Sequence, residues 1–259
     1  MRVLAIGDIV GEKAVEKLEK ELKNIKQKEN IDVTIANGEN AANGNGLTKE
    51  LFDKILASGV DVITMGNHTW GNEEIYSFIE DTRIVRPANI TKGMPGKGYT
   101  IYQKDNTKIL VINLIGRRFM EGVYYSDNPF VSVQEILDKV DKDIKIILVD
   151  FHAAWTGEKF TMGYFLDGKA SAVYGTHTHV QTADEIIMPK GTGFITDIGM
   201  TGPSYSDLGC NVENSIKRYF KDMSPKDELS DNEVMINGCI FNIDENTGKT
   251  IEIKRVHVD

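Results

Sequence analysis

The spacing of apolar residues near the start of the chain changes from a strand pattern to a helix pattern. Residues 2–7, with the sequence RVLAIG, form a short apolar run. After it, apolar residues recur at steps of three and four, at Val15, Leu18, Leu22 and Ile25. A short apolar run is typical of a buried β-strand, whereas the second spacing places side chains on one face of an α-helix. This segment therefore predicts a strand followed by an amphipathic helix.

The same succession of strand and helix patterns then returns. Residues 32–37 predict a second strand, residues 47–59 a second helix that ends near Gly59, and residues 61–66 a third strand. A β-α-β-α-β succession connects its strands by crossover helices, which favours a parallel sheet with helices packed on its faces. This part of the sequence predicts an α/β fold.

The remainder of the chain combines hairpins with further buried strands. Two segments predict hairpins because extended runs flank a short polar turn, at residues 99–116 and 236–256. Two apolar runs predict buried strands, at residues 145–151 and 171–175. From Asp184 onward the pattern predicts antiparallel strands and one helix near residues 211–220.

The length and composition of the chain are compatible with a single folded unit. A chain of 259 residues, of which 41% are hydrophobic, can bury a sizeable core. No repeat, linker or low-complexity tract interrupts the succession of elements. We therefore expect one mixed α/β domain over residues 1–259.

The charge of the chain limits its partners and its location. The formal net charge is -9, whereas non-specific binding of long nucleic acids needs clustered Lys and Arg. A small anionic ligand is compatible with this charge. The apolar run at the start is interrupted by Asp8 and is too short for a signal peptide, and no segment is long enough to span a membrane. We expect a cytoplasmic protein with neither long nucleic acids nor membranes as partners.

Polar residues that can bind metals follow five predicted strands, at the point where each strand ends. They are Asp8 after the first strand, Glu39 and Asn40 after the second, Asn67 and His68 after the third, His152 after the fourth, and His177 and His179 after the fifth. In open α/β sheets, ligands bind at the carboxyl ends of the strands, where the loops converge. We therefore expect these side chains to meet at one edge of the sheet.

The segment VYGTHTHVQT is the most specific of these signals. It places His177 and His179 one residue apart, in a chain with five histidines. Alternate positions of an extended segment point to the same side, which suits two imidazoles that bind metal. Taken singly, Asp8 could be a helix cap and His152 a half-buried histidine with a hydrogen-bond partner. Their joint placement favours a metal site, whereas His257 has no such companion and is given no role.

The residue types indicate which ions and which reaction this site supports. Imidazole, carboxylate and amide groups without thiolate suit Mn, Fe or Zn better than Mg or Ca. Without His68 there are seven candidate ligands, which suits two ions that share a bridging carboxylate. Two divalent ions exceed the charge of Asp8, Glu39 and a bridging hydroxide by one, which matches a phosphodiester anion. The sequence therefore predicts a binuclear centre that hydrolyses a phosphate ester.

Six motifs resemble those of one enzyme family. GDIVG, NGEN, GNHTW, DFHA, GTHTHVQTAD and TDIGMTGP resemble, in this order, the calcineurin-like metallophosphoesterases, and within them the YmdB-like cyclic nucleotide phosphodiesterase family. The resemblance implies a four-layer αββα sandwich, with two mixed sheets face to face and helices outside. It also implies a dinuclear iron or manganese centre. On this resemblance, one ion is held by Asp8, Glu39, Asn40 and His179, and the other by Glu39, Asn67, His152 and His177. Glu39 bridges the two ions, and His68 is the proton donor.

The resemblance implies hydrolysis of a cyclic nucleotide, of the 2',3'- or 3',5'-cyclic AMP type. A hydroxide that bridges the ions attacks phosphorus, and His68 gives a proton to the departing ribose oxygen. Two other functions stay open: another metal-dependent phosphatase or nucleotidase, because substrate choice lies in the loops, and a non-catalytic nucleotide sensor. Proteins of this fold often assemble, so a homo-oligomer is also compatible with the resemblance.

The chain departs from the family pattern after the DFH motif. The family usually carries an acidic residue there, whereas this sequence has Ala153, Ala154 and Trp155. A partner that orients His152 or shapes the pocket is therefore expected to be missing, and Trp155 could stack on a base instead. Arg117 and Arg118 could reach a phosphate, and the aromatic insertion over residues 119–130 could lie over the site.

Overall fold

The structure is a computed structural model that describes residues 1–91, 93–120, 126–221, 225 and 228–259. Its strands are, in chain order, β1 (Arg2–Ile6), β2 (Asp8–Ile9), β3 (Val33–Asn37), β4 (Val62–Thr64), β5 (Ile84–Val85), β6 (Tyr99–Lys104), β7 (Thr107–Ile115), β8 (Ile146–His152), β9 (Ala172–Thr176), β10 (Ile186–Ile187), β11 (Gly193–Ile195), β12 (Met200–Pro203), β13 (Val234–Ile243) and β14 (Thr250–Val258). Its α-helices are α1 (Glu12–Glu29), α2 (Lys49–Ala57), α3 (Pro129–Lys139), α4 (Thr156–Leu166) and α5 (Val212–Lys221), and a 3-10 helix covers Glu73–Ser77.

The described strands form two mixed sheets. The first has the order β2-β12-β13-β1-β3-β4-β5, with β14 paired to β13, and the second has the order β10-β11-β9-β8-β7-β6. In the first sheet β1, β3 and β4 run parallel, as the β-α-β-α-β pattern predicted. In the second sheet β7, β8 and β9 run parallel. Both predicted hairpins are confirmed, as β6 with β7 and β13 with β14.

The side chains of the two sheets divide the interior into three apolar cores. Along β1, Val3 and Ala5 join the core between the two sheets, whereas Leu4 and Ile6 join the core beneath α1 and α2. This division follows from the alternation of side chains along a strand. The outer face of the second sheet packs against α3 and α4. The layers therefore run helix, sheet, sheet, helix, which confirms the predicted αββα sandwich.

The direction of two strands differs from the sequence prediction. Only antiparallel strands were expected after Asp184, but β11 runs parallel to β9 and β12 runs parallel to β2. The reason is that the apolar pattern of a strand indicates which of its faces is buried but not whether its neighbour is parallel or antiparallel. A parallel pair also joins strands that are far apart in the chain, so no local turn signal announces it.

Helix α4 has no counterpart among the predicted elements. It buries Glu158 and Lys159 together with Met162 and Leu166, so polar and apolar positions do not separate into two faces. Helical periodicity cannot be recognised when charged residues lie on the buried side. In the described residues, no helix has both the length and the apolar character that crossing a bilayer requires.

Candidate metal centre

The predicted site residues meet where the carboxyl ends of the two sheets face each other. Asp8, Glu39 and Asn67 come after β1, β3 and β4 of the first sheet. In the second sheet, His152 is the last residue of β8 and His177 directly follows β9. The expectation that they share one sheet edge is therefore wrong, because the ligands are divided between two sheets. The expectation that they converge is confirmed by the distances between them.

The Nε2 atom of His152 lies at the centre of one group of candidate ligands. It lies 3.1 Å from Glu39 Oε1, 2.8 Å from Asn67 Oδ1 and 3.1 Å from His177 Nδ1. Ligand atoms of Glu39, His152 and His177 all lie within 4.8 Å of one another. Two imidazoles and a carboxylate, supported by an amide oxygen, suit a transition metal ion. We call this group the His152 group.

Asp8 and His179 lie on the other side of the same cluster. The carboxylate of Asp8 is fully buried, and its Oδ2 accepts a hydrogen bond of 3.1 Å from the backbone N–H of His177. Its Oδ1 is buried without a hydrogen-bond partner and lies 3.7 Å from His179 Nε2. Burial raises the pKa of Asp8. Because an unpaired buried carboxylate oxygen is costly, its position beside an imidazole nitrogen fits a bound cation.

Two histidines are oriented by hydrogen bonds from their Nδ1 atoms. His179 Nδ1 lies 2.8 Å from the carbonyl oxygen of Leu208, so this nitrogen donates and Nε2 keeps a free lone pair. His152 Nδ1 lies 2.9 Å from Thr176 Oγ1, which donates a bond of 2.7 Å to the buried carboxylate of Asp150. The expectation that His152 lacks an orienting partner is therefore wrong, because Thr176 and Asp150 take that part.

Gly66, which directly precedes Asn67, keeps the space between two candidate ligands clear. A Cβ atom at this position would lie 2.3 Å from Glu39 Oε2 and 2.4 Å from His152 Nε2. Contacts this short are excluded for any side chain. Sequence reasoning missed this residue, although the motif GNHTW begins at it.

Asn40 connects the cluster with His68. Its Oδ1 lies 2.6 Å from His68 Nδ1, while its Nδ2 lies 3.3 Å from Glu39 Oε1 and 3.3 Å from His179 Nε2. Nδ2 of Asn40 therefore faces Glu39 and His179, and the amide has to rotate to bring Oδ1 there before it can bind a cation. The side chain of His68 is 41% exposed, and its backbone N–H donates to Glu39 Oε2 at 2.8 Å. His68 is therefore fixed at the rim of the cluster and accessible from outside.

Burial acts against the charged forms of the central residues, and neighbouring charges outweigh it for Glu39 and His152. Burial acts against the charged form of Glu39, but His152 and His68 outweigh it and lower the pKa of Glu39 to about 2. Burial also acts against the charged form of His152, but Glu39 and Asp8 outweigh it and raise the pKa of His152 to about 9. For His177, burial and the charge of His152 lower the pKa to about 3. In the metal-free protein at neutral pH, His152 is therefore protonated and His177 is neutral.

We expect metal binding to the metal-free protein to weaken as the pH falls. A metal ion needs the neutral imidazole of His152, so binding has to displace the proton that Glu39 stabilises. Because the pKa of His152 is raised to about 9, this proton is present below that pH. The apparent affinity should then fall about tenfold for each further pH unit. Calorimetric titration of metal-free protein with Mn²⁺ across this range checks the prediction, and a flat profile contradicts it.

The chain is similar to one protein family over almost its whole length. Residues 4–256 match the YmdB-like protein family. A 2',3'-cyclic-nucleotide 2'-phosphodiesterase from Bacillus subtilis is 43% identical over 260 residues, which cover 100% of this chain and 97% of that protein. The solved structure of a novel phosphatase from Mycoplasma pneumoniae is 33% identical, with a TM-score of 0.94, and covers 100% of this chain and 93% of its own. That of a hypothetical protein from Thermus thermophilus is 35% identical, with a TM-score of 0.92 and coverage of 99% and 98%. As its motifs predicted, the chain belongs to the YmdB-like protein family.

Proposed function

We propose that this protein hydrolyses 2',3'-cyclic nucleotides with the help of two divalent metal ions. The protein is a phosphodiesterase, the class to which its Bacillus subtilis relative belongs. The match to the family covers residues 4–256, which include every candidate ligand. The observation that carries the metal-dependent reaction is the convergence of Glu39, His152 and His177 within 4.8 Å. Three such donors in one buried cluster suit an ion that activates water and stabilises charge on a phosphate.

The ligand assignment follows the two sides of the cluster. The His152 group would hold one ion through Glu39, Asn67, His152 and His177. The ligand atoms of the other three residues lie 2.8–3.1 Å from His152 Nε2. The unpartnered Oδ1 of Asp8 favours a second ion beside His179, with Asn40 and Glu39 completing its ligands. Manganese and iron suit this N/O set, and zinc fits it as well.

Residues of the chain would donate a proton and orient one of the candidate metal ligands. When bound, two divalent ions generate a nucleophile from water and stabilise the charge that develops on the phosphoryl oxygens. His68, held at the rim by its backbone hydrogen bond to Glu39, would hand a proton to the leaving ribose oxygen. Asp150 and Thr176 keep the Nδ1 proton of His152 in place, which leaves Nε2 for metal binding.

A cavity of about 520 Å³, lined by residues that follow the ends of β7 and β8, is the candidate nucleoside pocket. Its lining includes Arg117, Arg118 and Trp155, the last of which is 46% exposed. The buried carboxylate of Glu158 accepts the backbone N–H groups of both arginines at 3.1–3.2 Å, so the loop that carries them is fixed. An exposed indole and two cations in one pocket suit a base and a phosphate. The predicted cover over residues 119–130 lies partly outside the described residues, at 121–125.

We expect Trp155→Ala to raise the KM for a cyclic nucleotide about tenfold with little change in kcat. Stacking of a base on an aromatic side chain is worth about 1–3 kcal/mol, and an alanine at this position offers no ring. Trp155→Phe should restore most of the affinity. Tyr164→Ala, which removes an exposed aromatic ring from the helix that follows Trp155, should leave KM unchanged. An unchanged KM in Trp155→Ala would place the base elsewhere.

Hydrolysis rates on a matched set of esters test the proposed function. The metal-loaded protein is assayed with 2',3'-cyclic AMP, 3',5'-cyclic AMP and a phosphomonoester. We expect the highest kcat/KM for 2',3'-cyclic AMP, because the relative of 43% identity is described by that substrate. Preference for the monoester would favour a phosphatase, the description given to the similar Mycoplasma pneumoniae structure. Binding of the cyclic nucleotide without turnover would favour a nucleotide sensor. A cytoplasmic location and a homo-oligomer stay predictions.

A further inference from the structure

The turn that carries two candidate ligands has an unfavourable backbone conformation. His177 has a φ of 92° and His179 a φ of 63°, and both values lie in the left-handed region that favours glycine. Non-glycine residues are unfavourable in this region, and they persist only where the surrounding structure holds them. The turn His177–His179 therefore needs an anchor apart from its own backbone preference.

Thr178, between the two histidines, provides the point of attachment. Its backbone N–H and its hydroxyl both donate to Asp197 Oδ2, at 3.2 Å and 2.6 Å. Asp197 follows β11 and is fully buried. Hydrogen bonds to a charged acceptor are shorter and stronger than those to a neutral one. Asp197 thus clamps the middle of the strained turn.

A buried lysine compensates the charge of this carboxylate. Lys159 of α4 is 1% exposed, and its Nζ lies 2.7 Å from Asp197 Oδ2. Its stem passes over Gly175, where a Cβ atom would lie 2.8 Å from Lys159 Cδ and 1.8 Å from the carbonyl oxygen of Thr196. A buried carboxylate without a partner is strongly unfavourable, so Asp197 depends on Lys159. Lys159 is too buried to touch a substrate.

Asp197 also supports a ligand of the first sheet. Its Oδ1 accepts the backbone N–H of Gly199 at 2.8 Å, and the carbonyl oxygen of Gly199 accepts the backbone N–H of Asp8 at 3.2 Å. One carboxylate therefore connects the turn after β9 with the start of β2. These two segments supply Asp8, His177 and His179 to the candidate centre.

We propose that Lys159 and Asp197 form a positioning pair that holds the His177–His179 turn in its metal-binding conformation. The proposal rests on the proposed function only in that metal ions bind at the centre, and it does not depend on which ester is hydrolysed. The pair acts through Thr178 and, for Asp8, through Gly199, without contact with the substrate. Loss of the pair should loosen the turn and lower metal affinity before it affects any step of chemistry.

The first test changes the attachment point alone. Thr178→Val removes the hydroxyl that donates to Asp197 and keeps a side chain of similar size, whereas Thr178→Ser keeps the hydroxyl. We expect Mn²⁺ affinity, measured by calorimetric titration of the metal-free protein, to fall about tenfold in Thr178→Val. In Thr178→Ser it should stay within about threefold of the wild-type value. Equal affinities for the wild type and both variants would overturn the proposal.

The second test separates positioning from general stability. Lys159→Met keeps the length of the side chain and removes its charge, and we expect Mn²⁺ affinity to fall about 100-fold. Met162→Ala on the same helix removes a fully buried side chain of the outer core and has no part in the clamp. It should lower Tm but leave Mn²⁺ affinity unchanged. If both variants lower Tm and affinity in parallel, the pair is merely structural and the proposal fails.

If Lys159→Met proves too unstable to purify, the two Thr178 variants decide the question by themselves. Metal affinity is measured without any substrate, so the result does not depend on the esterase assay. A protein that binds Mn²⁺ as expected but hydrolyses no cyclic nucleotide would contradict the proposed function and leave the positioning pair intact. Wild-type protein that binds no metal would overturn both.

Discussion

His68→Ala is expected to lower kcat for a 2',3'-cyclic nucleotide by about 10²–10⁴-fold while both metal ions stay bound. The reason is that a ribose oxygen is a poor leaving group unless it receives a proton as its bond to phosphorus breaks. His68 lies at the rim of the cluster, 41% exposed, and holds Asn40 and Glu39 through hydrogen bonds without being one of the buried ligands. Steady-state kinetics and metal analysis of the same preparation check both parts.

The leaving group offers a sharper control for His68. An ester of p-nitrophenol needs no proton to depart, so His68→Ala should reduce its hydrolysis by much less than that of the cyclic nucleotide. His257→Ala is the matched exchange at a histidine of β14, which is hydrogen-bonded to Asn237 and Asp259 and is not one of the cluster residues. It should change neither rate. Equal losses on the two esters, or loss of metal, would refute the proton-donor assignment.

Glu39→Gln is expected to abolish metal binding at the centre and to reduce turnover by about 10⁴-fold or more. Glu39 is 1% exposed and offers its charge to the His152 group, where Oε1 lies 3.1 Å from His152 Nε2. Glutamine has nearly the same shape but no charge, and it directs an amide where a cation should bind. Metal content after gel filtration and kcat on 2',3'-cyclic AMP measure the effect.

The His68 and Glu39 variants should differ in metal content, because His68 is assigned as the proton donor and Glu39 as a metal ligand. His68→Ala should keep metal and lose turnover, whereas Glu39→Gln should lose both. Glu50→Gln removes a carboxylate from the exposed face of α2, where it pairs with Lys54, and should alter neither property. Full metal content in Glu39→Gln would show that Glu39 is not a ligand of either ion.

Most of the fold could be predicted because its strands and helices have regular apolar spacing. β1, α1, β3, α2 and β4 all follow from positions of apolar residues. The direction of β11 and β12 could not be predicted, because pairing between distant strands leaves no local signal. Helix α4 could not be predicted for a different reason. Its Glu158 and Lys159 are buried, so its polar and apolar residues do not separate into two faces.

The candidate ligands could be predicted because metal-binding residue types stand where strands end. The residues that support them could not. Asp150 and Thr176 lie within strands, where a polar residue has no spacing that reveals its partner, and the distance between Thr176 and Asp150 exists only once β8 and β9 pair. Gly66 is visible in the sequence, but only the fold reveals that its missing side chain leaves space between Glu39 and His152.

The position of β1 in the first sheet has a consequence for how the protein is made. β1 lies between β3 and β13, and Ile6 pairs with Gly238, a strand partner 232 positions later. At ~5–20 residues per second, the ribosome needs roughly 10–50 s to reach it, and for that time one edge of β1 stays open to pairing with other chains. Asp8 directly follows this strand and is held by Gly199. The centre is therefore among the last parts to form, and a nascent chain cannot capture metal there early in its synthesis.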